Sequence, residues 1–145
     1  MIDLEKAYDM LNAQVFLNTM PSNVSVRYNG RLKRCHGRCT AYWKNGETSA
    51  CKQEITLAKS GRTAVSEVNT LLHEMCHAWL NGHGELHHNH GVKWLALANY
   101  ANSLGFAVME RSPFVNEEPV EETFPTNGYE FNGTELIINI KNYES

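Results

Sequence analysis

LLHEMCHAWLNGHGELHHNHGVKW, from Leu71 to Trp94, holds six of the seven histidines of a 145-residue chain. Within it, His73-Glu74-Met75-Cys76-His77 has the H-E-x-x-H spacing. Residues four apart on a helix lie one above the other on the same face. His73 and His77 can therefore offer two ring nitrogens to one ion at about 2.0–2.1 Å. Glu74 points in a neighbouring direction, within reach of a water held by that ion. Zinc with three protein ligands keeps a fourth position for such a water and brings its pKa to about 7, so that a carboxylate can take its proton. This is the chemistry of metal-assisted peptide hydrolysis. Five residues with three fixed are a weak pattern by themselves. The surroundings strengthen it, because Val65, Val68, Leu71, Leu72, Met75, Ala78 and Trp79 predict an apolar-faced helix over 64–80. Two solvated histidines have no reason to sit there.

A third ligand has several candidates in reach: His83, His87, His88, His90 or Glu85. His90 stands at the start of a second expected helix, about Gly91 to Ser103, whose apolar positions include Val92, Leu95, Ala98 and Tyr100. An inward-packed helix would fix His90, with Val92 and Trp94 as its anchors and Gly91 letting the backbone approach the first helix. His83, His87 and His88 fall on a Gly- and Asn-rich loop and read as solvated residues that the ion does not need.

Upstream, Leu4, Ala7, Tyr8, Leu11 and Val15 predict an amphipathic helix over 4–18, N-capped by Asp3 and broken at Pro21 to Asn23. Strands are expected at Val24–Tyr28, Cys39–Trp43 and Ile55–Leu57, the first two joined by a hairpin turn at Asn29-Gly30. If the third strand forms a sheet edge, Glu54–Leu57 can pair with an extended peptide. Downstream, Glu117, Glu118, Pro119, Glu121 and Glu122 make an acidic linker, and Tyr129–Phe131 with Glu135–Ile140 predict a hairpin. The expected division is residues 1–111 as the main domain and 112–145 as linker and hairpin.

A net charge of -3 argues against a polyanion-coating protein. No apolar run approaches the roughly 20 residues of a membrane span, and Met1–Lys6 has no signal-peptide character. The expected setting is intracellular: cytoplasmic, or nuclear in a eukaryote. Cys35, Cys39, Cys51 and Cys76 are then reduced thiols, and the sequons at Asn23 and Asn132 carry no meaning. Cys35, Cys39 and Cys51 with His36 could form a second metal site, but C-x-x-x-C is loose for one, and small residues on adjacent strands are the better reading. Cys76 reads as a buried packing residue. Arg31, Lys33, Arg34 and Arg38 cluster near Tyr28, Tyr42 and Trp43, the combination of charge and rings that grips single-stranded DNA.

Leu71–Ala78 resembles the active-site helix of the SprT-like family of zinc metalloproteases, the Spartan-type protease domain. His90-Gly91-Val92-Lys93-Trp94 is similar to that family's second motif. Cys35–Tyr42 and Cys51 with Ile55-Thr56-Leu57 resemble its strand segment, so the likeness covers residues 4 to 106. The resemblance implies a small zincin-like α+β domain, with a short antiparallel sheet beside the zinc-binding helices. It implies Zn2+ held by His73, His77 and His90, with Glu74 as catalytic base. It also implies an endopeptidase acting on protein or peptide substrates, some of them associated with nucleic acid; a monomer is the expected state. The chain departs from many relatives in having no cysteine after Cys76, so no C-terminal zinc ribbon. Two other classes fit less well: a nucleic-acid-binding adaptor with a non-catalytic zinc site, for which Glu74 would be superfluous, and a non-proteolytic metal hydrolase.

Overall fold

The computed structural model describes residues 2–59 and 63–110, and the backbone of 129–131 and 136–138. Helix α1 spans Leu4–Gln14, strands β1 to β3 span Val24–Asn29, Gly37–Tyr42 and Lys52–Ala58, and helices α2 and α3 span Ala64–Gly82 and Val92–Ser103. Short strands β4 (Tyr129–Phe131) and β5 (Leu136–Ile138) pair antiparallel, as the expected hairpin requires. The acidic linker lies outside the described residues. The fold is α+β.

The three-stranded sheet has the order β1-β3-β2, with β3 parallel to β1 and antiparallel to β2. It is therefore mixed, where an antiparallel sheet was expected, and Asn29-Gly30 makes no hairpin between β1 and β2. The third strand is central, which removes Glu54–Leu57 as a substrate-pairing edge. Burial accounts for the order. Gln53, Ile55, Thr56, Leu57 and Ala58 of β3 are all buried, while Ser25, Arg27 and Arg38 of the flanking strands are exposed. A strand covered on both faces belongs between two others, and charged side chains suit edges.

Asp3 caps α1 by accepting from the Lys6 N–H at 3.1 Å. Leu4, Ala7 and Leu11 turn inward. The helix stops at Gln14, short of the expected end, because Leu17 and Asn18 take positive φ of 53° and 61°. No helix continues through that backbone.

Helix α2 is the centre of the molecule. Thr63 caps it, and Val68, Leu71, Leu72, Met75, Cys76, Ala78 and Leu80 are buried. It packs on β2, β3 and α3. Each fully buried leucine contributes about 1.5–3 kcal/mol. A polar clamp sets its position along the sheet. The buried Gln53 amide donates to the Ala78 carbonyl at 2.8 Å and accepts from Asn81 Nδ2 at 3.2 Å. Helix α3 is turned differently from expectation. Trp94, Ala98 and Ala101 are its buried positions, whereas Val92, Leu95 and Tyr100 face solvent. Val92, 84% exposed, anchors nothing. Trp94, with no exposed surface, is the largest α3 side chain keyed into the core.

Candidate metal centre

One turn of α2 separates His73 from His77, and the first residues before α3 bring His90 opposite them. His90 Nε2 lies 3.1 Å from His73 Nε2 and 3.2 Å from His77 Nε2. Two nitrogens bound tetrahedrally to one zinc at 2.0–2.1 Å stand about 3.3 Å apart. These three side chains are the group among the described residues able to hold a metal ion. The indole of Trp94 is their shared floor, with ring centroids 4.7 Å from His73, 4.6 Å from His90 and 5.6 Å from His77. Its Nε1–H donates to the His73 carbonyl at 3.4 Å.

The outer ring nitrogens decide the tautomers. A carbonyl only accepts, so His73 Nδ1, 2.7 Å from the Met109 carbonyl, carries the proton and leaves Nε2 as a lone pair toward the centre. His77 Nδ1 lies 2.9 Å from His88 Nε2, and His88 Nδ1 lies 2.9 Å from the Glu85 carbonyl. His88 must donate at Nδ1, which makes its Nε2 the acceptor for the His77 N–H. Burial lowers the pKa of both His73 and His77, the latter to about 3 with the neighbouring histidines adding to the effect. Both are neutral at pH 7, the state a metal ligand requires.

Glu74 is buried beside this cluster. Its Oε1 is 3.9 Å from His73 Nε2, and its Oε2 has no hydrogen-bond partner among the described residues. Burial pushes the carboxyl up to about 7, against an opposing pull from Arg38. An orphaned buried oxygen is costly, and it leaves the carboxyl with hydrogen-bonding capacity to spare beside the histidines. The donor set therefore fits a metal: three convergent imidazole nitrogens, an open cleft beside them, and a carboxyl able to take a proton near neutral pH. Strand β2 comes close over Glu74 because residue 37 is glycine. A Cβ there would stand 2.8 Å from Thr70 Cγ2 and 3.3 Å from Glu74 Cγ.

A cleft of about 740 Å³ opens over the cluster, bounded by β2 on one side and His87 to His90 on the other. Arg38 lines it, while Arg31, Lys33 and Arg34 occupy the connection between β1 and β2; all four are exposed. Tyr42 and Trp43 are exposed too, with the Lys52 ammonium 5.6 Å above the Tyr42 ring.

Of the remaining histidines, His83 stacks on Trp79 at 3.8 Å, with its Nδ1 bonded to the Trp79 carbonyl at 2.7 Å. His87 is exposed on the cleft rim. His88 is the residue that sequence reasoning missed: it lies outside the three-histidine group, yet it is half-buried and bonded to the outer nitrogen of His77. Gly91 also differs from expectation. The close approach it permits is to the His88 carbonyl, 3.0 Å from where a Cβ would lie, and not to α2. The cysteines form no second centre with His36 among the described residues. Cys39 Sγ donates to Gln53 at 3.5 Å, and burial pushes the Cys39 and Cys76 thiols up to about 12, which suits packing residues and not nucleophiles.

The SprT-like family model matches residues 4–114. The human protein described as germ cell nuclear acidic protein is 29% identical over 106 residues, covering 70% of this chain and 15% of that protein. The Drosophila melanogaster protein of the same description is 34% identical over 99 residues, covering 66% of this chain and 9% of that one. The chain thus spans a small fraction of either relative's length. With the family match taking in the sheet, the three histidines and Glu74, the chain belongs to the SprT-like family.

Proposed function

We propose that this chain is a zinc-dependent endopeptidase in which His73, His77 and His90 hold the ion and Glu74 is the general base. The observation that carries the reading is the buried, unpartnered Glu74 Oε2 beside three convergent imidazoles. A purely structural zinc site has no use for a desolvated carboxylate next to its ligands. Bound zinc would acidify a water and polarise the carbonyl it attacks. The chain's own residues do the rest. Glu74 takes the proton on its carboxylate and returns it to the departing amine. The outer hydrogen bonds keep the histidine lone pairs aimed inward. Trp94 keeps the floor dry.

Strand β2 supports a peptide substrate. It is the sheet edge bordering the cleft. The Ala58 N–H donates to the His36 carbonyl at 2.8 Å. By antiparallel alternation, Gly37, Cys39 and Ala41 then turn their backbone groups to the free side. An extended peptide pairing there would pass directly over Glu74. This is the edge role that the sequence had assigned to β3.

The substrate reading extends to proteins associated with nucleic acid. Arg38 stands at the cleft and Arg31, Lys33 and Arg34 lie next to it, a surface suited to single-stranded DNA. The word nuclear in both relatives' names supports an intracellular, nuclear setting. Among the described residues, no helix is long and apolar enough to cross a membrane.

The test is incubation of the zinc-loaded chain with a disordered protein, with and without single-stranded DNA, followed by gel over time. Fragments that appear with zinc and vanish with a chelator support the proposal. An intact substrate under every condition refutes it.

A further inference from the structure

We infer that His88 is a positioning residue for the metal centre, fixing the tautomer and ring angle of His77 through an imidazole–imidazole hydrogen bond. The inference rests on the reading of His77 as a ligand. It assigns a role to a loop residue of the cleft wall that lies outside the three-histidine group.

The chain of bonds has one direction. The Glu85 carbonyl accepts from His88 Nδ1–H at 2.9 Å, so His88 Nε2 is left as the acceptor. That nitrogen lies 2.9 Å from His77 Nδ1, which must then be the donor. With its proton on Nδ1, His77 presents a lone pair at Nε2, 3.2 Å from His90 Nε2. A single backbone carbonyl thus sets both tautomers. The two rings lie 5.1 Å apart and 33° from coplanar.

The loop is built to hold this pose. His87 and Asn89, on either side of His88, adopt positive φ of 56° and 43°, an uncommon conformation for residues other than glycine. The Gly91 N–H donates to the His88 carbonyl at 2.8 Å. Glu85, whose carbonyl anchors the relay, pairs through its carboxylate with Lys93 on α3. A solvated loop histidine has no need of such restraint. Partners of this kind on a ligand's outer nitrogen commonly change metal affinity about 10- to 100-fold when removed.

The experiment measures zinc affinity of the whole chain by competition with a chromogenic chelator. The variants are His88→Ala, His88→Leu and His88→Gln, each with its metal-free melting temperature. Leucine keeps bulk without an acceptor, and the glutamine amide oxygen restores an acceptor near the Nε2 position. Alanine and leucine should weaken zinc binding about 10- to 100-fold, while glutamine stays within about threefold of wild type. The cobalt-loaded glutamine variant should keep the wild-type visible bands, since the ligand set is unchanged. Wild-type affinity in His88→Leu overturns the inference. So does a glutamine variant as weak as leucine, or a shifted cobalt spectrum, which would make His88 a ligand. Should alanine lower the metal-free melting temperature, the leucine–glutamine comparison decides. His77→Ala runs alongside: full zinc binding there would sink the metal centre itself, independently of His88.

Discussion

His73, Glu74 and His77 are readable from spacing because a helix converts a difference of four residues into a shared face, and nothing more distant is needed. His90 is readable only with help, since its place depends on Trp94 entering the core. His88 is not readable at all. Its role requires a ring orientation set by positive φ at His87 and Asn89, and no propensity rule predicts that pair. The same geometry ranks the loop histidines. Single alanine substitutions at His83, His87 and His90, dialysed against a weak chelator, should leave about one zinc per chain in the first two and strip the third. Zinc lost from the His87 variant, or kept by the His90 variant, would show that the cluster is wrongly composed.

At the scale of elements, the helices were legible and the sheet order was not. α2 announces itself through an unbroken apolar face, and β3 through its run of buried residues. Their arrangement depends on a parallel pairing between β1 and β3 that skips β2, a non-local choice that local turn signals such as Asn29-Gly30 cannot reveal. The outward turn of Val92, Leu95 and Tyr100 was hidden for a similar reason: α3 carries apolar residues on more than one face, and only the fit of Trp94 selects between them. Two substitutions probe the contacts between elements. Trp94→Ala should cost about 3–5 kcal/mol in urea unfolding and lower zinc affinity as well, because the floor of the histidines goes with the core. Gly37→Ala should cost about 1–3 kcal/mol by forcing β2 away from Thr70 and Glu74. Its proteolytic rate should fall more steeply than its zinc content. Unaltered cleavage by Gly37→Ala would mean that β2 does not position substrate over Glu74.

On the scale of the whole molecule, the α+β class and the family were legible in the sequence, because both rest on the α2 motif and the strand-and-helix pattern around it. The quadruple alanine variant at Arg31, Lys33, Arg34 and Arg38 should lose single-stranded DNA binding, and wild-type binding should weaken steeply with salt; an unchanged variant would remove DNA from the account. Alkaline stability follows from the half-buried Cys39 and buried Cys76 thiols. Cys39 and Cys76 ionise at about 12 in the fold, raised by burial from an ordinary 9.0. Above pH 9 the unfolded chain therefore holds fewer protons than the folded one, and stability falls as pH rises toward 12, by up to about 1.4 kcal/mol per unit for each thiol. The urea midpoint should drop across that range, and Cys76→Ala should flatten the slope; equal slopes would contradict the assignment. The central claim is that three histidines hold the metal while Glu74 moves the proton. It is tested most directly by measuring zinc content and proteolysis on one preparation of Glu74→Gln. The account predicts about one zinc per chain with cleavage reduced at least about 100-fold. Full cleavage by that variant would contradict it.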